Sequence, residues 1–124
     1  MDIVDFLNAR LDEDERIADE ARCLVPGKWE SRGIDLIYAD VDGVAGTLRH
    51  EEDAVHIARH DPARVLREVA AKRKIVETYR EAREHPDYRT DPVLHAMVKQ
   101  HKQFALLPLT EVYREHPDFG RWRS

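Results

Sequence analysis

The sequence holds a single cysteine, Cys23, so no disulfide can form within the chain. Its five glycines are spread over predicted turns, and the chain therefore lacks the glycine-rich loop that cradles nucleotide phosphates. No basic-then-apolar leader opens the chain, and no apolar run approaches the roughly 20 residues of a membrane-spanning helix. From these absences we expect a soluble cytoplasmic protein with no membrane segment.

Serine is also scarce, since Ser31 and Ser124 are the only two, and neither lies in a nucleophile-elbow motif. Charge is abundant instead: 36% of the residues are charged, and the formal net charge is -5. This acidic balance argues against general affinity for nucleic acids. The length of 124 residues and the 42% of hydrophobic residues predict a single domain, residues 1–124, with one core.

The first stretch predicts a long amphipathic helix. Asp2 can cap its N-terminus, and Pro26-Gly27 ends it after about Cys23. The apolar side chains of one face are Ile3, Val4, Leu7, Leu11, Ala18, Ala21 and Val25. The acidic run 12–15 is interpreted as a solvated face, except that Asp14 falls on the apolar side when the helix turns by about 100° per residue.

The middle of the chain, from Lys28 to Arg59, carries strand-forming side chains. One run precedes the tight turn Asp42-Gly43, and Val44 to Leu48 returns from that turn. A further short strand is predicted for Ala54 to Ala58. Together these segments predict a three-stranded antiparallel meander, with one face on helices and the other toward water.

The segment from His56 to Arg73 is interpreted as the end of a strand, a sharp corner and the start of a second helix. Asp61 can cap that helix by accepting a hydrogen bond from a free backbone N–H, and Pro62 suits the first helical position. The helix is predicted to run from Pro62 to about Arg83.

Asp91-Pro92 repeats this signature and starts a third helix, which Pro108 kinks or ends. A last short helix is predicted from about Leu109 to Arg114. The fold class that follows is α+β: an N-terminal helix, a small antiparallel sheet of about three strands, then two to three helices packed on one sheet face.

Two stretches, Phe6 to Glu15 and His56 to Arg73, resemble the opening and the middle of a small actinobacterial family, also met in actinophages. Its C-terminal signature is similar to Tyr113, His116-Pro117-Asp118-Phe119 and Trp122. The resemblance covers about half of the chain. That family is catalogued only as a domain of unknown function, so the resemblance implies no activity, substrate or cofactor, and we expect no cofactor.

The corner could form a metal site, because His56, His60 and Asp61 carry imidazole and carboxylate groups that are good ligands for divalent metals. On a strand the two histidines would lie about 13 Å apart, so a metal would need a bend between them. A satisfied structural histidine pair is the favoured interpretation. A metal-dependent enzyme built on these three residues is kept as an alternative function.

A second alternative is a nucleic-acid-associated regulator that uses the basic face of the second helix. Its cations are Arg64, Arg67, Lys72, Arg73, Lys74, Arg80 and Arg83. Intervening glutamates dilute this stripe and can pair with it at helical spacing, so nucleic acid is not the expected partner.

Asp14 and Arg73 each interrupt an apolar helix face, and burying either charge alone would be costly. If the two helices pack face to face, the two side chains could satisfy one another.

The leading functional hypothesis is a small non-enzymatic accessory or protein-interaction domain, with an unknown protein partner or self-association through a sheet edge or an aromatic patch. The candidate binding residues are His56, His60, Asp61, Arg64, Arg73, Asp14, His116 and Trp122.

Overall fold

The computed structural model describes residues 1–123 and confirms the α+β class. Its long elements are α1 (Ile3–Leu24), β1 (Trp29–Arg32), β2 (Asp35–Tyr38), β3 (Gly43–Thr47), α2 (Glu51–Arg59), α3 (Pro62–Arg83) and α4 (Pro92–His101). The contacts divide the chain into two compact units. Unit 1 comprises Met1–Glu13 and the described residues from Ala70 onward, and unit 2 comprises Asp14–Val69.

The sheet of unit 2 is an antiparallel meander in the order β1-β2-β3. Trp29 pairs with Tyr38 across β1 and β2, and a bulge between Leu36 and Ile37 shifts the register against β3. The predicted run before Asp42 therefore forms two strands, because a turn at Gly33, with a φ of 60°, reverses the chain inside it. The turn at Asp42-Gly43 is confirmed.

The predicted strand Ala54 to Ala58 is wrong, since these residues belong to α2. Three acidic residues, 51–53, occupy the first turn of α2, where the positive end of the helix dipole favours them. Ala54 is fully buried, and Ile57 and Ala58 follow it at helical spacing. A run of only five residues can fit both the two-residue repeat of a strand and the 3.6-residue repeat of a helix. This segment was therefore wrongly predicted to be a strand.

The predicted caps of three helices are confirmed. Asp2 and Asp5 exchange backbone N–H to carboxylate bonds of 2.9 and 3.0 Å at the start of α1, which forms a capping box. Asp61 accepts the Arg64 N–H at 2.9 Å, three residues into α3. Asp91 accepts the N–H groups of the second and third residues of α4 at 2.9 and 3.3 Å.

The helical course that begins with α4 continues past Pro108 instead of ending there. A π-helical turn, Lys102–Leu106, follows α4, then come α5 (Leu107–Thr110) and a 3₁₀ turn, Glu111–Tyr113. The π-helical turn bonds the Leu107 N–H to the Lys102 carbonyl and places Pro108 in the first turn of α5. A proline is tolerated there because its missing N–H has no helical role. The separate short helix predicted at Leu109 therefore merges into this course.

Each unit has its own buried apolar side chains. Those of unit 1 include Phe6, Leu7, Leu11, Val76, Tyr79, Val98, Leu106 and Trp122. Those of unit 2 include Ala18, Leu36, Ile37, Ala54 and Val69. The predicted single domain, residues 1–124, stays a prediction.

Candidate functional site

Asp61 links β1 and the first turn of α3 at the predicted corner. Its side chain is only 5% exposed. One carboxylate oxygen accepts the Arg64 N–H of α3, and the other accepts the Trp29 N–H of β1 at 3.2 Å. The capping role was predicted, whereas the bond to the sheet was not. The carboxylate therefore holds the start of β1 against the first turn of α3.

His56 lies in the last turns of α2 and His60 is the C-cap residue that follows the helix, with the two ring centroids 4.5 Å from each other. The expected separation of about 13 Å is wrong because the segment is helical. His60 Nδ1 lies 2.8 Å from the His56 carbonyl oxygen, which can only accept, so the proton of that nitrogen is donated there. Within residues 1–123 no group of three or more His, Cys, Asp or Glu side chains could hold a metal ion.

A concave depression of about 450 Å³, which we call the basic cleft, lies beside this corner. Its lining residues are Lys28, Ala58, Arg59, Asp61, Ala63, Arg64 and Arg67. Arg64 is held in place by Glu68 at 3.0 Å and by the Arg59 carbonyl at 3.3 Å. Across the part of the chain that the structure describes, the other three cations have no carboxylate partner. The cleft therefore gathers positive charge from Lys28, which precedes β1, from the last residue of α2 and from α3.

An apolar groove of about 250 Å³ borders the same corner of unit 2. Its lining residues are Asp14, Ile17, Ala18, Ala21, Trp29, His60, Pro62 and Val65. The Trp29 indole N–H is buried and has no hydrogen-bond partner among residues 1–123. Of the predicted binding residues, Asp14 and His60 thus share this groove, and Asp61 and Arg64 share the basic cleft.

In unit 1, Arg10 and His116 form a polar cluster around a buried guanidinium. Arg10 is 6% exposed and contacts His116 Nδ1 at 2.5 Å and Glu13 at 2.9 Å. The Asp118 N–H also reaches His116 Nδ1, at 3.0 Å. Both groups are donors, so Nδ1 accepts and the ring carries its proton on Nε2. Arg10, which sequence reasoning missed, lies three residues after Leu7 on the apolar face, and that spacing was the available signal.

Trp122 lies in the core of unit 1 and is 9% exposed. It packs 4.5 Å from the Phe6 ring and edge-on against Phe119 at 5.1 Å. Its role is therefore to close a cluster of aromatic rings, and it does not form the exposed aromatic patch expected for self-association.

Arg73 donates to Asp12 within unit 1 at 2.7 Å. The predicted contact of Arg73 with Asp14 stays a prediction. On the basic face of α3, Arg64 pairs with Glu68, and Arg80 pairs with Glu77 and with Glu84. These ion pairs neutralise part of the positive charge on which a nucleic-acid-binding regulator would depend.

The π-helical turn and α4 carry an exposed apolar stripe, which we define as Val93, Met97 and Phe104. These side chains are 68%, 60% and 72% exposed. They recur at intervals of four and seven residues, so they share one flank of the helix. The sequence shows that these residues are apolar and lie in the predicted third helix, but it does not show that this flank stays exposed.

Comparison with known proteins places the chain in a family. Residues 1–124 match the model of the "Family of unknown function (DUF6221)". The chain belongs to this family. No curated protein and no solved structure matches it. In residues 1–123, none of the helices combines the length and the apolar character needed to cross a membrane.

Proposed function

We propose that this member of the family is a small non-enzymatic accessory protein that acts by binding a protein chain, and that its partner is a second copy of itself. The observation that carries the proposal is the exposed apolar stripe of α4 and the π-helical turn. Exposing three large apolar side chains to water on one flank of a surface helix raises the free energy. A partner that covers them lowers it again. The π-helical turn that contains Phe104 adds support, because such turns occur frequently at functional sites.

A second copy fits the stripe because the stripe is self-complementary when two helices lie antiparallel. In a two-fold arrangement that sets Met97 opposite Phe104 of the partner subunit, Val93 lies opposite Pro108 of the partner subunit. Every large side chain of the stripe then meets an apolar one. An isologous interface of this kind closes after two copies, so it forms a dimer and not a filament.

The charges beside the stripe are compatible with the same register. Arg89 precedes α4, has no ion pair within residues 1–123, and would come near Glu111 of the partner subunit. Glu111 already forms an ion pair with Arg114 of its own chain at 2.5 Å. In the dimer it would therefore lie between its own Arg114 and Arg89 of the partner subunit. Complementary charges at the rim set the register and the partner orientation more than the affinity.

Three apolar side chains per copy make a small interface. Standard interfaces bury roughly 800 Å² per partner, so the flanking polar residues must supply part of the contact. We therefore expect a weak dimer, with a dissociation constant in the micromolar range or above.

Sedimentation velocity over a wide range of protein concentrations tests the proposal. Phe104→Glu should abolish the dimer, whereas Val44→Glu should leave it unchanged, because Val44 is an exposed valine on β3 outside the stripe. Arg89→Glu and Glu111→Arg should each weaken the dimer, and the double variant should restore it. A wild-type monomer at every concentration, or equal effects of the two glutamate variants, would contradict the proposal.

We also infer that the protein acts in the cytoplasm of an actinobacterium or during the life cycle of its phage. The motif from His56 to Arg73 and the C-terminal motif support that origin, and the exposed free thiol of Cys23 suits a reducing compartment. The gene neighbourhood of family members is the direct check. Members found mainly outside actinobacteria and their phages would overturn this inference.

A further inference from the structure

We infer that the basic cleft of unit 2 binds a phosphate group, either free or carried by a small molecule. Three observations support this inference. The cleft is concave and measures about 450 Å³, three of its four cations lack a carboxylate partner within residues 1–123, and these cations come from separate segments of the chain. The proposal is independent of the dimer, which rests on α4.

The gathering of free cations in one place is unusual for this chain. The formal net charge is -5, and many of its arginines are paired with carboxylates, as Arg80 and Arg83 are. Lys28, Arg59 and Arg67 instead share one cleft. Like charges around a concavity repel one another and concentrate anions there, so a bound anion removes the repulsion.

The wall of the cleft is preorganised for an anion. Arg64 is fixed by Glu68 and by the Arg59 carbonyl, so ordering its guanidinium costs little on binding. Arginine forks match the oxygens of a phosphate, and two exposed ones, Arg59 and Arg67, are available to form them.

Two carboxylates limit where the anion can bind. Asp61 lies in the wall, but it is almost fully buried and its oxygens accept the N–H groups of Trp29 and Arg64. Glu30 lines an adjoining depression with Lys28 and Arg59, and it lies 3.7 Å from the Arg32 guanidinium. The anion is therefore expected toward the rim formed by the three unpaired cations, away from Asp61.

A compact anion fits this cleft better than a nucleic acid does. The three unpaired cations share one depression, whereas Arg80 farther along α3 is paired with Glu77 and with Glu84. The negative net charge of the whole chain also repels a long polyanion.

The test is a titration of the full chain, at fixed ionic strength, with pyrophosphate, inorganic phosphate, a phosphomonoester and sodium chloride. Isothermal calorimetry gives the affinity, and the NMR signals of the Trp29 backbone and indole N–H groups report binding beside the cleft. Phosphate compounds should bind and chloride should not. If the phosphomonoester binds more tightly than inorganic phosphate, the natural ligand carries its phosphate group on a small molecule. If inorganic phosphate binds more tightly, the natural ligand is the free ion.

Arg59→Gln and Arg67→Gln should each weaken pyrophosphate binding about tenfold, because each removes one phosphate contact, and Lys28→Gln provides a third variant. The matched control is Arg49→Gln, which removes the same charge from an exposed arginine outside the cleft. Equal losses in the cleft variants and the control, no binding of any phosphate compound, or much tighter binding of a single-stranded oligonucleotide would overturn the proposal.

Discussion

Replacing Asp61 with alanine should cost far more stability than replacing Asp91, although both residues cap a helix before a proline. Asp91 is exposed, and a single oxygen of its side chain accepts both N–H groups of the first turn of α4. Losing such a cap costs about 1 kcal/mol. Asp61 is buried and accepts the Trp29 N–H in addition to the N–H of its own helix.

The extra cost of Asp61→Ala comes from the Trp29 N–H. A buried donor that loses its partner costs about 1–3 kcal/mol, and the partial burial of Trp29 favours the lower half of that range. Adding the cap gives a loss of about 2–3 kcal/mol for Asp61→Ala, against about 1 kcal/mol for Asp91→Ala. With a urea slope of about 1–3 kcal/mol/M, the two midpoints should differ by roughly 1 M.

Asp61→Asn separates the two contributions. Asparagine caps a helix about as well as aspartate, so it should restore full stability if capping were the only role. It has one acceptor oxygen, however, and its NH₂ group would face the second N–H donor. We therefore expect Asp61→Asn to lie between the wild type and Asp61→Ala.

The assay is a urea titration followed by far-ultraviolet circular dichroism and by tryptophan fluorescence, because Trp29 and Trp122 lie in different units. Coincident transitions with an unchanged slope allow the midpoints to be compared directly. Wild-type stability in Asp61→Asn, or an Asp61→Ala loss no larger than that of Asp91→Ala, would refute the reasoning.

Two further predictions concern charges of unit 1. Arg10→Met should destabilise the protein by about 1–3 kcal/mol in the same assay, since Glu13 and His116 each lose a hydrogen bond from a buried guanidinium. Arg16→Met, which removes an exposed pair with Glu20, should cost less than about 0.5 kcal/mol, and equal losses would count against the cluster. Partial burial raises the pKa of Asp2, but the Asp5 N–H and Arg83 outweigh it, so the net pKa lies below its ordinary value. The stability gained over Asp2→Asn should therefore be present at pH 7 and lost as pH falls below about 4, and a pH-independent difference would contradict this.

Local signals carried most of the correct sequence predictions. The caps at Asp2, Asp61 and Asp91 depend on a side chain and on N–H groups within three residues of it, so a short segment determines them. The turn at Asp42-Gly43 is equally local. The segment Ala54 to Ala58 failed because a short apolar run fits both a strand and a helix, and only packing decides between them.

The candidate sites depend on distant residues and could not be predicted in the same way. Lys28 lies at the start of the sheet and Arg59 at the end of α2, and no sequence spacing indicates that they share a cleft. The apolar stripe of α4 poses a different problem. Its composition is visible in the sequence, but which flank of the helix stays exposed depends on how the other elements of unit 1 pack.

The sequence His-Pro-Asp occurs twice, at His85-Pro86-Asp87 and at His116-Pro117-Asp118, and the two segments have different surroundings. In both, the histidine Nδ1 accepts the aspartate N–H two residues later, at 3.1 Å for His85 and 3.0 Å for His116. This bond gives the aspartate backbone N–H an acceptor at a place where the proline prevents the helix from continuing. His85 is exposed, whereas His116 also meets the buried Arg10 guanidinium and the Phe6 ring. Both segments therefore serve to end a helical stretch. The segment at His116 differs from the one at His85 because Arg10 connects it to α1.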